Sequence, residues 1–397
     1  MIVVIMVAER VKLVIPSKIR ELSERSKKIE NVISLGIGEP DFDTPQHIKD
    51  AALKAMQDGH TKYTAVAGNL DLREAIVAKL TRENGLDFKP NQIVVSNGAK
   101  QDIANLCMAL LNPGDEVIIL SPYWVSYSDI VHMFGGKAVL LSASVDEVFK
   151  VPASKVAAAI TSRTKLIMFS SPCNPSGSVF SHSELKAIAE VVAPHKNIYI
   201  MSDEIYEHII FDGHQHQSVL RYPELYKRSF VVFSFGKSLH VTGWKTGYVI
   251  APPELTTELR KIHQFNVFSV NRPIQHGVAY YITHHADFAA LSSFYQDKRD
   301  LFLKLMSGLP LKFLPCYGSY FILADYSAVS SLDDRSFCLL YTSDAADDLL
   351  CVYLGGRRLI TKKKKKKNNH TKHSHRYRSE QNAATINTLL YRLTQLQ

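Results

Sequence analysis

Seven short apolar runs separated by stretches of helical period constrain the fold of this chain more than any other feature. They cover residues 93–96, 116–120, 137–141, 166–170, 197–202, 230–235 and 248–251. Such runs are too short for helices and alternate too little for half-exposed strands, so they read as strands buried on both faces. Helical patterns fall at 46–57, 70–84 and from Gly98 onward, with several more between the runs. Buried strands alternating with helices predict an α/β fold, a mainly parallel sheet flanked by helices. Ligands of such sheets sit beyond the carboxyl ends of the strands, so the following loops should hold the chemistry.

Two longer helices are expected at 254–285 and 292–308, then strands at 311–314 and 319–325. These would open a smaller α+β domain. The expected organisation is an N-terminal segment, 1–45, contributing to the small domain, a large domain at 46–285, the start of the C-terminal small domain at 286–336, and a tail at 337–397. No internal repeat is visible.

Charge separates the tail from the rest. Of the net +9, residues 337–397 supply +8, with 12 Lys+Arg against 4 Asp+Glu and six consecutive lysines, Lys362 to Lys367. The body is nearly neutral, so the basic total does not imply nucleic acid. The apolar start, MIVVIMV, is far shorter than the roughly 20 residues of a membrane span and lacks a signal-peptide pattern. A cytoplasmic protein with no membrane partner is expected. Five scattered cysteines without a CxxC pair argue against a disulfide framework and against a metal site. Cys173 reads as a buried, inert thiol.

The strand-end loops hold an unusual set. Pro122-Tyr123-Trp124 follows the second run, Pro172-Cys173-Asn174-Pro175-Ser176-Gly177 the fourth, and Asp203-Glu204-Ile205-Tyr206 the fifth. Asn97-Gly98-Ala99-Lys100 follows the first, at a helix start. After the sixth come Gly236-Lys237-Ser238 and then Thr242-Gly243-Trp244-Lys245. Singly, each has a bland reading: a solvated lysine, a helix-capping aspartate, a packed tryptophan. Five in order, each at a strand end, point to one site. Gly36-x-Gly38 does not make a dinucleotide fingerprint, because the third glycine is missing and Pro40 follows.

These motifs resemble those of the class I/II pyridoxal-phosphate-dependent aminotransferases, over residues from about 33 to 336. Ser234-Phe235-Gly236-Lys237 with Gly243-Trp244-Lys245-Thr246-Gly247-Tyr248 resembles the family's cofactor-lysine signature. Asn174-Pro175-Ser176-Gly177 is similar to its Asn-Pro-x-Gly turn, and Asp203-Glu204-Ile205-Tyr206 to its Asp-x-x-Tyr element. The resemblance implies fold type I, pyridoxal 5'-phosphate as cofactor, and amino-acid and 2-oxo-acid substrates. It implies that Lys237 forms the Schiff base and then moves the substrate's α-proton, needing a depressed pKa. Asp203 would pair with the pyridine nitrogen, and Tyr206 and Asn174 would bond the 3'-oxygen. Gly98, Ala99 and Lys100 would hold the phosphate at a helix N-terminus, with Ser234 and Lys245 completing the cup. Trp124 would stack on the ring. Tyr63 would reach the phosphate of a neighbouring subunit, implying a homodimer. Gly38, Trp124 and Asn174 would meet the substrate.

Lys245 departs from the arginine many relatives carry, losing a bidentate fork. Residues 33–210 look like prokaryotic aspartate aminotransferases, and those after about 212 more like methionine or kynurenine aminotransferases. From about residue 337 the chain resembles translated adapter and poly-A sequence, replacing the region where the family keeps the arginine that clamps the substrate carboxylate. The small domain is therefore expected to be incomplete. None of Arg357, Arg358, Arg376, Arg378 and Arg392 stands in the family's context. The expected activity is amino-group transfer by a ping-pong mechanism. A carbon–sulfur β-lyase on the same fold, or a cofactor-binding protein without activity, are the alternatives.

Overall fold

Alternate residues along the apolar runs pack into two different cores, which is how a sheet buried on both faces must behave. The computed structural model describes residues 8–14, 21, 24, 38–40, 43–285, 287–334, 336 and 337. The strands are β1 (Ile93–Ser96), β2 (Glu116–Ser121), β3 (Lys137–Ser142), β4 (Thr164–Ser170), β5 (Tyr199–Asp203), β6 (Ser229–Ser234) and β7 (Gly247–Ile250). Ile118, Ile167, Ile200 and Val231 face one core, and Val117, Leu166, Met201 and Val232 the other. Each such side chain, fully buried, contributes about 1.5–3 kcal/mol.

The sheet order is β1-β7-β6-β5-β4-β2-β3. The four neighbouring pairs from β6 across to β3 are parallel. β7 runs antiparallel to both β1 and β6. The fold is the α/β, mainly parallel arrangement that the alternation predicts.

The longer helices are α1 (Gln46–Gln57), α2 (Leu70–Asn84), α3 (Ala99–Leu110), α4 (Ser126–Met133), α5 (Ala153–Ala159), α6 (His182–Val192), α7 (Pro253–Asn266), α8 (Arg272–His284) and α9 (Ala289–Met306). Sequence chemistry sets their ends. Ser181 and Glu184 form a capping box on α6, with Glu184 N donating to Ser181 Oγ at 3.3 Å and Ser181 N to Glu184 Oε2 at 2.7 Å.

Two expectations need correction. The helix anticipated at 254–285 is two helices, α7 and α8. Phe268 takes φ +70°, Asn271 Oδ1 accepts from Ile274 N at 3.2 Å, and Pro273 occupies the first turn of the new helix. An N-cap followed at once by proline is a start signal inside an apolar period, and it overrides that period. α8 then folds back against α1 and α2. The strands expected at 311–314 and 319–325 shrink to β8 (Lys312–Phe313) and β9 (Ala324–Asp325), an antiparallel pair.

The chain between them pairs with residues 209–211, beyond the end of β5. Phe211 N donates to Tyr317 O at 2.8 Å and Ser319 N to Ile209 O at 2.9 Å. Arg299 grips Asp212 with both guanidinium nitrogens, at 2.6 and 2.7 Å, and the Cys316 carbonyl at 2.8 Å. Residues 317–321 are thereby held beside the segment that follows β5. The expected tail from residue 338 on, with its lysine run, its arginines, Cys338 and Cys351, lies outside the described residues, as does Gly36. No helix among the described residues is long and apolar enough to cross a membrane.

Candidate active site

The loop after β1 turns directly into α3, and Gly98 at the turn has φ +88°. A side chain there would be strained. The free N–H groups of the first turn, including Ala99 and Lys100, open toward the carboxyl edge of the sheet. Gly247 allows the close approach behind them: a Cβ on it would come within 3.0 Å of Ala99 N and Gly98 Cα.

Two lysines converge on this helix end. Lys245 takes a left-handed conformation, φ +54°, uncommon for a side-chain-bearing residue. Its Nζ comes within 3.6 Å of where a Gly98 Cβ would stand. Burial, then the neighbouring charge of Lys245, pushes the Lys100 ammonium down. Two cations crowded at a helix N-terminus make a cradle suited to an anion. Ser234 stands at the end of β6, its Oγ accepting from Gly236 N at 3.2 Å. Lys100 Nζ also lies 4.8 Å above the Trp124 ring, which meets Tyr127 edge-on at 5.7 Å.

At the end of β5 lies Asp203, only 2% exposed. Burial pushes its carboxyl up to about 6, although hydrogen bonds from Tyr127 and Ile205 and the charge of Lys237 pull the other way. Tyr127 OH donates to Oδ2 at 2.5 Å, while Oδ1 has only a long contact, 3.4 Å, from Ile205 N. Asp203 thus keeps acceptor capacity for a cationic partner, such as a protonated ring nitrogen. Tyr206 is buried beside it and shares hydrogen bonds with Tyr320 and Asn174.

Lys237 lies in the single helical turn after β6, Phe235–Ser238. Its Nζ donates to Gly38 O at 2.7 Å and to Tyr320 Oη at 2.6 Å. Burial lowers its pKa to about 8; Glu39 opposes, Lys245 adds to the fall and Asp203 opposes. A lysine in that range is partly neutral near physiological pH, which a nucleophile or base requires.

Most of the residues singled out by sequence meet at this carboxyl edge: Gly38, Gly98, Ala99, Lys100, Trp124, Asn174, Asp203, Tyr206, Ser234, Lys237 and Lys245. Tyr63 does not. It is 82% exposed and meets Phe268 edge-on at 5.1 Å. Sequence reasoning passed over Tyr127 as the partner of Asp203, and Tyr320. Tyr127, in the first turn of α4, follows Trp124 by three residues, and its N donates to the Trp124 carbonyl at 3.0 Å. Tyr320 comes from 83 residues beyond Lys237, and no local pattern signals such a contact. Cys173 is buried, with Sγ 3.2 Å from Pro122 O and its thiol pushed up by burial, as an inert cysteine should be.

The residues present fit pyridoxal phosphate: a cationic cradle for a phosphate, a buried carboxylate with a free lone pair, and a lysine of lowered pKa. A separate group, Glu83, Glu207 and His208, brings ligand atoms within 4.8 Å of one another. Lys79 Nζ already lies 2.8 Å from Glu207 and 3.1 Å from Glu83, so an ammonium supplies the cation there.

The family model for aminotransferases of class I and II matches residues 30–347. An aspartate/prephenate aminotransferase of Nitrosomonas europaea is 42% identical over 269 residues, 66% of this chain and 68% of that protein. The methionine aminotransferase of Escherichia coli is 39% identical over 316 residues, 79% of this chain and 81% of its own. Among solved structures, an Escherichia coli protein identified as a methionine aminotransferase superposes with TM-score 0.81 at 35% identity, covering 86% of this chain and 89% of that one. The Thermus thermophilus aspartate aminotransferase with maleate gives TM-score 0.79 at 34% identity, covering 85% and 90%. These likenesses span the strand-end motifs and the sheet that carries them, and the protein belongs to the class I and II aminotransferases, a family of pyridoxal-phosphate enzymes.

Proposed function

We propose that Lys237 carries the pyridoxal phosphate of this aminotransferase, and that the enzyme alternates between an L-amino acid and a 2-oxo acid in a ping-pong cycle. The observation that carries this reading is the half-buried Lys237 amine, hydrogen-bonded to the neutral oxygens of Gly38 and Tyr320 and lowered by desolvation to about 8. When bound, the cofactor supplies an electron sink that makes the substrate's α-proton removable. Lys237 Nζ takes and returns that proton. Asp203 holds the ring nitrogen protonated. The N–H groups of Gly98, Ala99 and Lys100, with Ser234 and Lys245, bind the phosphate. Tyr206 and Asn174 orient the 3'-oxygen, and Trp124 covers a ring face. Gly38, with Trp124 and Asn174, lines the place of the substrate.

A homodimer belongs to the same proposal. Tyr63, 82% exposed, and Phe265, 88% exposed, with Phe268 beside Tyr63, leave apolar surface in water, as an unfilled interface does. Tyr63 would reach the partner's phosphate. The proposed division is a large domain at 46–285 and a small one from 286–336 with 1–45. The described cysteines, Cys107, Cys173 and Cys316, are free and buried, which suits a reducing, cytoplasmic setting.

Relatives acting on aspartate and on methionine support either as donor, and an aromatic amino acid is the third candidate. Incubating the loaded enzyme with each donor and no acceptor tests the cycle. One equivalent of oxo acid per active site, with the amino group retained, supports ping-pong transfer, and continuous release of ammonia would overturn it.

A further inference from the structure

We propose that Tyr320 is a positioning residue for Lys237: its phenol oxygen and the Gly38 carbonyl each accept one hydrogen of the neutral amine and leave the nitrogen lone pair in the third direction. This rests on the reading of Lys237 as the cofactor lysine. The two acceptors lie 2.6 and 2.7 Å from Nζ, short enough to be full hydrogen bonds. Tyr320 OH is itself 2.8 Å from Gly38 O, and it is also within bonding reach of Tyr206. Whichever of these receives the phenol's one hydrogen, its oxygen keeps a lone pair for Lys237.

The phenol is well placed to act only as a neutral group. Burial, with Tyr206, Tyr295 and Glu39 around it, holds it far above its ordinary pKa. Its ring is fixed edge-on against Tyr206 at 5.3 Å and tilted on Tyr295 at 5.6 Å. An amine of two hydrogens, held by two fixed acceptors, has lost the freedom to turn its lone pair elsewhere. Pre-set orientation of this kind is a large part of what a site contributes to reactivity. The segment that carries Tyr320 is tied to β5's following loop by the bonds at Tyr317 and Ser319, so the clamp joins chain segments 199 and 83 residues away from Lys237.

The test is trace acetylation of the full chain freed of cofactor, read at the Lys237 peptide by mass spectrometry from neutral to alkaline pH. Charged groups facing Lys237 are Glu39, Lys245 and Asp203, and all stay in place in Tyr320→Phe. Wild type should titrate near 8. In Tyr320→Phe, loss of an acceptor should lower the midpoint by about one pH unit, with the exposed Lys54 unchanged. Tyr295→Phe, which alters the packed ring but no bond to Lys237, should match wild type. Tyr320→Leu should repeat the shift without requiring a second ring to fit the slot. A Tyr320→Phe profile superimposable on wild type would overturn the proposal. Labelling uses no cofactor, so it stands apart from the cofactor assignment, which Lys237→Ala decides by loss of the bound-cofactor absorbance.

Discussion

Two desolvated lysines in this protein, Lys79 fully buried and Lys237 half-buried, meet opposite fates. Lys79, 1% exposed on α2, is pushed down by burial, but Glu207 and then Glu83 overcome that and raise its pKa. Lys237, half-buried, is also desolvated, but beside neutral hydroxyl and carbonyl oxygens with Lys245 nearby, and it falls to about 8. Burial alone therefore does not make a lysine reactive. The neighbours decide: carboxylates within bonding distance turn a buried ammonium into a structural ion, and neutral acceptors leave it able to lose its proton.

The contrast can be broken most forcefully at Lys79. Lys79→Met should destabilise the fold by about 3 kcal/mol or more, since it strands Glu83 and Glu207 without their cation. Lys237→Ala should change stability by less than about 1 kcal/mol, because no described carboxylate bonds to it. Urea unfolding of both variants without cofactor checks the difference. Equal losses would mean that the two sites are not distinct in kind.

Next in size is Lys245. Lys245→Ala should weaken pyridoxal phosphate binding about 10- to 100-fold, the worth of a charge-assisted bond to phosphate. It should also raise the Lys237 midpoint above about 8, because a repelling charge is gone. Equilibrium titration with the cofactor and the acetylation profile read the two effects separately.

A smaller shift is expected at Asp203. Its carboxyl sits at about 6 even with the Tyr127 hydroxyl donating to it. Tyr127→Phe removes that donor, so the pKa should climb further. In the cofactor-free protein the Asp203 titration, followed by carbon NMR of its carboxyl, should move to higher pH, and no movement would show that Tyr127 merely packs.

A last prediction concerns acid stability. Glu83 is desolvated, yet the His208 bond and Lys79 lower its pKa from 4.5 to about 2. A depressed carboxyl contributes stability above its unfolded value and loses it as pH falls through the folded one. Unfolding midpoints should therefore decline between about 4.5 and 2, and Glu83→Gln should flatten that decline. Lys79 works in reverse, since its raised pKa gives stability that is lost only as alkaline pH passes that value.

Much of the scaffold was legible because its signals are local. The helices at 46–57 and 70–84 coincide with α1 and α2, and every apolar run became a strand within a residue or two. The strand-end motifs were legible as a set because a parallel sheet brings its carboxyl ends to one edge. The Lys79 site was not, because its partner Glu207 is 128 residues away and a lysine in a helix reads as solvated. Tyr320 escaped for the same reason. The break between α7 and α8 was written in Asn271 and Pro273, but a sustained apolar period masked it.

The most direct test of the central claim is to reduce the loaded enzyme with borohydride and map the modified peptide, alongside Lys237→Ala. The cofactor should be fixed on Lys237 alone, with the visible band of the bound cofactor absent in the variant. Label on Lys79, Lys100 or Lys245 instead, or a variant that keeps the band, would contradict the account.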